Sequence, residues 1–210
     1  MKLQVLTSRD SWFYKNHKKI SKPYRKYVFG KIITSHKKIN KNSITAIVSY
    51  YKIIPNKYLL RSKHNLVVHE SNLPKGKGFS PLFWQIINGK KNIIFSLFEC
   101  SSKVDAGKIY LKKKINFPSS MLYGEIKEKQ MNSAFELIHR FVKKFLKEKN
   151  IKAYNQKGKS TYFKKIDSTM GKIDVDKSIK SQFNILRTRN NQKFPAYFYY
   201  QNRKYKLKIY

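Results

Sequence analysis

Residues 65–110 read NLVVHESNLPKGKGFSPLFWQIINGKKNIIFSLFECSSKVDAGKIY, and their alternation of apolar runs and breakers decides the fold. The run 65–69 is short and β-branched and ends in polar residues, so it reads as a buried strand. The segment that follows carries Pro74, Gly76 and Gly78 and must be a loop. Ser80 then stands where a helix N-cap is wanted, with Pro81 at the first helical position and Gly89 closing the helix. Residues 93–99 and 108–115 read as strands on either side of the turn SSKVDAG.

The same reading extends outward. Upstream, 2–6, 31–35 and 44–50 are apolar runs of strand length. A helix is expected from Asp10 as N-cap, ending before Pro23. Residues 53–60 suit a loop and one helical turn begun near Pro55. Downstream, Phe135, Leu137, Ile138, Phe141, Val142, Phe145 and Leu146 recur at helical spacing, which predicts an amphipathic helix within 119–149. Residues 150–175 are polar and irregular and are expected to wrap as a loop. A short helix is expected over about 176–189. FPAYFYY and YKLKIY, separated by QNRK, predict an aromatic hairpin. Strands alternating with helices indicate an α/β domain with a mainly parallel sheet, followed by a short C-terminal helix and β-hairpin extension. The division falls at 1–150 and 151–210.

Composition bounds the function classes. With 210 residues, 40% of them hydrophobic, the chain has material for a sizeable core. The single cysteine, Cys100, excludes an internal disulfide framework. No apolar run reaches the ~18 residues of a membrane span, and the first run is too short for a signal peptide. A cytoplasmic protein without membrane contact is therefore expected. No His, Cys or Asp cluster has metal-ligand spacing, so no metal is expected. His64 reads as a surface residue. The net charge of +36 comes from 47 basic residues, of which 40 are Lys and only 7 Arg. They are spread over the whole chain, which suits a solvated surface; the same charge would suit an anionic partner.

Several pieces of 65–110 fit one pattern together. They are His69, Ser71, Leu73–Pro74, Lys77–Gly78, Pro81 and Asp105–x–Gly107, with Asp105 following His69 by 36 residues. This arrangement resembles the catalytic core of folate-dependent formyltransferases, including the methionyl-tRNA and amino-sugar enzymes. SYYKIIP at 49–55 resembles the segment lining their folate pocket, and 162–187 with 194–200 resemble the C-terminal region of the amino-sugar enzymes. The resemblance implies a Rossmann-like formyltransferase domain over 1–150 and a formyl donor, 10-formyltetrahydrofolate. It implies His69 and Asp105 as catalytic residues. His69 would stabilise the oxyanion that forms when an amine attacks the formyl carbon, and Asp105 would orient His69 and accept the amine proton. Tyr51, Ile53, Ile54, Leu73, Pro74 and Val104 would line the cofactor site. Lys75 and Lys77 would meet a substrate phosphate or other anion.

The sequence departs from the pattern twice. Val67 stands where the family has Asn, so either a replacement oxyanion donor comes from Ser71, Asn72 or a loop N–H, or the activity is weak or lost. Lys77 stands where an Arg is usual, so a bidentate contact is lost. The implied acceptor is a nucleotide-linked amino sugar, with a homodimer possible. Methionyl-tRNA is the alternative acceptor, although that enzyme carries a further C-terminal domain and the sequence ends at Tyr210. A third reading is a catalytically weakened scaffold that binds RNA or another polyanion.

Overall fold

The computed structural model describes residues 2–21, 24 and 32–210. The helix expected to run to just before Pro23 is shorter: it ends at Asn16, and a 3-10 turn follows over His17–Lys19. Strands β1 (Leu3–Leu6), β2 (Ile32–Ile33), β3 (Ile44–Ile47), β4 (His64–His69), β6 (Asn92–Glu99) and β7 (Ile109–Asn116) form one sheet in the order β2-β1-β3-β4-β6-β7, while β5 (Lys77–Gly78) lies outside it. The first four run parallel; β4–β6 and β6–β7 are antiparallel. The sheet is mainly parallel at the expected strands, and β4 is the strand where the direction changes. Its C-terminal end, at the mouth of the parallel half, is where α/β sheets place ligands.

The helices are α1 (Trp12–Asn16), α2 (Asn56–Leu59), α3 (Pro81–Ile87), α4 (Tyr123–Glu148) and α5 (Ile179–Arg187). Phe135, Leu137, Ile138, Phe141 and Val142 of α4 are buried in the main core with Val5, Ile44, Leu66, Phe95 and Leu97 of the sheet. Phe13 of α1 stacks on Phe135 at 5.4 Å between ring centres. Pro81 begins α3 and Gly89, at positive φ, closes it, as the sequence asks. The edge strand β7 exposes Lys112, Lys114 and Asn116, which discourages pairing with a further chain.

Four other local expectations are corrected. Ser11, not Asp10, caps α1, its hydroxyl accepting from the Tyr14 N–H at 3.0 Å. Ser80 precedes α3 at φ +50 but makes no capping bond. His64 is not a free surface residue. Its ring packs edge-on against Phe141 and Phe145, and its Nδ1 lies 3.1 Å from the Tyr110 hydroxyl. Residues 150–175 are not plain loop. They contain β8 (Tyr162–Phe163), which pairs in parallel with β5, and Tyr154 exchanges backbone hydrogen bonds with Ile109. The hairpin forms as β9 (Ala196–Tyr200) and β10 (Arg203–Leu207).

Helix α4 carries a cation that is taken out of water. Lys127 of α4 is buried, with its ammonium donating to Gln130 Oε1 at 2.6 Å and lying 5.8 Å from the ring centres of Trp12 and Phe83. The Gln130 amide donates to the Glu70 carboxylate. Burial pushes the Lys127 ammonium down to about 8, against a partial opposing pull from Glu70. The folded chain therefore releases this proton before the unfolded chain does. Between about pH 8 and the ordinary lysine value, the unfolded state holds more protons, so this group makes stability rise with pH, by up to about 3 kcal/mol.

Two predictions follow from the packing. Urea unfolding of wild type and Lys127→Met at pH 7.5 and 9.5 should show wild type gaining on the variant at the higher pH; a parallel pH dependence in both would remove Lys127 as the source. Gly107→Ala should cost more than about 2 kcal/mol, because an added Cβ would lie 1.6 Å from the Glu99 carbonyl oxygen.

Candidate active site

β4 delivers His69 to the end of the sheet, and the chain then enters the loop 70–80. His69 is only 6% exposed. Its Nε2 lies 2.8 Å from the Gly76 carbonyl, which can only accept, so Nε2 carries the hydrogen. Asp105 Oδ2 lies 3.8 Å from the same nitrogen, an ion-pair distance and too long for a direct hydrogen bond. Instead that oxygen accepts the backbone N–H of Gly78 at 2.9 Å. The structure thus brings together His69 and Asp105, with the glycine loop as the third side.

Asp105 has left-handed backbone, φ +49, a region that Asp tolerates better than most residues. Gln156 holds this turn by donating to the carbonyls of Asp105 and Gly107 at 2.8 and 3.0 Å. The glycine loop is held by β8. The Gly76 N–H donates to Thr161 Oγ1 at 2.8 Å, the Lys77 N–H to the Thr161 carbonyl at 2.9 Å, and the Phe79 N–H to the Phe163 carbonyl at 3.1 Å. Gly78 is needed there. Its φ is +92, and a Cβ would lie 2.5 Å from the Phe163 carbonyl oxygen.

The remaining sequence candidates separate. Val67 packs against Leu73, Phe98 and Ile109, so no polar group occupies its place. The Asn65 amide is engaged with the Leu59 carbonyl at 2.9 Å. Asn72 is exposed, and its Oδ1 accepts from the Lys112 ammonium at 2.6 Å. Ser71 is buried; its hydroxyl has no partner among the described residues. Leu73 and Pro74 are both buried. Ile54 is buried with Leu6, Ile33, Ile39 and Leu59, so its side chain anchors the 50–60 segment instead of facing a ligand. Ile53 and Val104 are 85% and 66% exposed, and Tyr51 is exposed as well. Lys75 is exposed, while Lys77 is buried with its ammonium 5.9 Å from the Tyr162 ring centre.

Residues that the sequence reading missed are Lys112, Gln156 and Thr161. Lys112 also donates to the Leu73 carbonyl at 2.8 Å, so it pins the loop from β7. β8 has two residues, too few for a period to register in the sequence. Burial first, then the Glu99 and Asp105 carboxylates, push the Cys100 thiol up to about 11, which disfavours the thiolate that a nucleophile needs. Among the described residues no group of His, Cys, Asp and Glu could hold a metal ion, and no helix is long and apolar enough to cross a membrane.

Comparison with known proteins agrees with this architecture. Methionyl-tRNA formyltransferase of Acetivibrio thermocellus is 30% identical over 160 residues, 76% of this chain and 51% of that protein. The chain spans about half the length of the relatives it matches in sequence. A sugar N-formyltransferase from Shewanella sp FDAARGOS_354 shares the fold with TM-score 0.64 at 16% identity, over 99% of this chain and 97% of that one. HypX from Aquifex aeolicus, solved in complex with tetrahydrofolic acid, gives TM-score 0.74 at 13% identity over all of this chain and 37% of that one. Residues 16–139, more than half of the sequence, match the family described as formyl transferase, and the chain belongs to that family.

Proposed function

We propose that the chain transfers a formyl group from 10-formyltetrahydrofolate to the amino group of a nucleotide-linked sugar. The observation that carries formyl transfer is the convergence of His69, Asp105 and the Gly78 N–H at the end of β4. The donor, when bound, supplies a carbonyl carbon activated towards an amine. Its planar ring suits this chain: Ile53 and Val104 offer exposed apolar side chains on two loops that meet at the cluster around Ile54, Leu59 and Cys100. Family membership and the tetrahydrofolic acid bound by HypX support the same donor.

His69 holds the hydrogen-bond donor for the oxygen that becomes negative. Its Nε2–H rests on the Gly76 carbonyl, which keeps the ring in one orientation until substrate takes that place. Asp105 takes the proton from the amine. The Gly78 N–H occupies one carboxylate oxygen, which aims the other at the acceptor. With Val67 apolar, the second donor comes from the loop, and the unpartnered Ser71 hydroxyl is the group we assign.

For the acceptor, the sugar reading is supported by the extension, whose β8 pairs with β5 of the glycine loop, and by the sugar N-formyltransferase that shares the fold; a methionyl-tRNA formyltransferase shares the fold over the whole chain as well. The sequence relatives named methionyl-tRNA formyltransferase support charged initiator tRNA as the second reading. Tetrahydrofolate release with amino sugars and with charged tRNA separates the two. Failure to bind folate, together with steeply salt-dependent RNA affinity, would instead favour the polyanion-binding scaffold.

His69→Ala and Asp105→Asn should each slow tetrahydrofolate release by at least about a hundredfold with little change in melting temperature. Asn is the informative replacement at position 105, because it accepts left-handed backbone and removes only the base. Wild-type rates in either variant would overturn the assignment. Ser71→Ala should lower kcat by about tenfold or more and leave KM little changed; an unaltered kcat would return the donor role to the backbone.

A further inference from the structure

Among the described residues two arginines are buried, and they differ in how their guanidinium groups are satisfied. Arg187, 1% exposed, donates to Asn184 Oδ1 at 2.7 Å and to the carbonyls of Pro118 and Met121 at 3.0 and 3.3 Å. It ties the end of α5 to the start of α4 and has the bonding of a structural arginine. Arg189 lies two residues on and is 5% exposed. It forms no ion pair among the described residues. Its Nε has no partner, and the hydrogen bond recorded for its fork is a long one, Nη2 to Thr188 Oγ1 at 3.4 Å. A buried cation left this way is costly, and most buried polar groups are paired.

Arg189 lines a cavity of about 160 Å³ with Ser80, Phe83, Tyr123, Asp167, Asn190 and Phe194. The space admits a phosphate-sized anion, and its mouth opens to solvent. Phe83 and Tyr123 stack at 5.6 Å and 9° to make one wall, and Phe194 is largely exposed at another. Asp167 brings the cavity's one carboxylate. Its Oδ1 is turned away to the N–H and hydroxyl of Thr169. The Arg189 stem passes beside Gly171, where a Cβ would lie 3.4 Å from its Cδ. The cavity also borders the site already described: Ser80 follows Gly78 by two residues, so their Cα atoms are at most about 7.6 Å apart.

We infer that this cavity is an anion subsite in which Arg189 holds a phosphoryl group of the acceptor. The aromatic wall would receive the organic part attached to that group. The inference rests on the formyl-transfer reading, and it places the phosphate at Arg189 where the sequence alone pointed to Lys75 and Lys77. A guanidinium suits this task, because its planar fork matches two phosphate oxygens at once.

The test uses the full chain and inorganic pyrophosphate as probe, titrated by calorimetry in about 0.5 M sodium chloride, where the surface lysines are screened beyond about 4 Å. Wild type should show saturable binding. Arg189→Met should weaken it at least tenfold and, by removing an unsatisfied buried charge, should raise the melting temperature of the ligand-free protein. Arg189→Lys keeps the charge and loses the fork; it should weaken binding at least threefold and carries the test if the methionine variant fails to fold. No saturable binding by wild type, or affinities within twofold of wild type in both variants, would overturn the inference. Tetrahydrofolate, titrated separately, reports on the donor site. If it binds and pyrophosphate does not, the Arg189 subsite falls alone. If it does not bind, the formyl-transfer reading falls and with it the assignment of this anion to an acceptor.

Discussion

The backbone N–H of Gly78 is where the site and the fold meet. It donates to the Asp105 carboxylate, and on either side of it the chain pairs with β8 through Thr161 and Phe163. The pairing is possible only because residue 78 has no Cβ to meet the Phe163 carbonyl. One peptide therefore joins three segments: the loop after β4, the turn after β6, and the C-terminal extension. His69 is positioned by the same loop, through the Gly76 carbonyl. The extension is in this sense part of the proposed site, since without it the loop would lose the bonds that set its shape.

What the sequence made legible follows from how each feature is encoded. Strands of the sheet and helix α4 are written as apolar runs and as a 3.6-residue period, and both survived comparison with the structure almost unchanged. The grouping of His69 with Asp105 was legible through several offsets that agree at once. Features that depend on a single neighbour were not. Ser11 outcompetes Asp10 as a cap because its hydroxyl reaches the Tyr14 N–H. Ile53 and Ile54 look alike in sequence, yet one faces solvent and the other fills the cluster with Leu6 and Ile33. His64 looked solvated because its partners, Glu99, Tyr110 and Phe141, lie at least 35 residues away. β8 has two residues and no period at all.

Charge shows the same limit from another side. The count of 47 basic residues describes the surface, where salt screens it and position matters little. Among the described residues four of them, Lys77, Lys127, Arg187 and Arg189, are buried, and no composition distinguishes them from the rest. Their environments do. Lys127 has a polar partner and two aromatic rings, Arg187 has three oxygen acceptors, and Arg189 keeps a donor unspent. Desolvating a cation is costly enough that each such group needs a stated partner. Where the partner is absent from the chain, the next place to look for it is the ligand.

The apolar residue at position 67 fits this picture. On a strand, residues 65, 67 and 69 share one face. Asn65 spends its amide on the Leu59 carbonyl, and Val67 joins Leu73, Phe98 and Ile109 in a small apolar cluster beneath the loop. An Asn at 67 would set its amide against that cluster. Leu73 belongs both to the cluster and to the loop, and the loop is also held by Lys112 and by β8. The face of β4 thus contributes one polar group, His69, and support for the loop. In the proposed mechanism the remaining donor comes from the loop itself, where the Ser71 hydroxyl is buried and unpartnered. Rigidity of the loop, supplied from three directions, is the condition under which that hydroxyl would serve as the proposed donor.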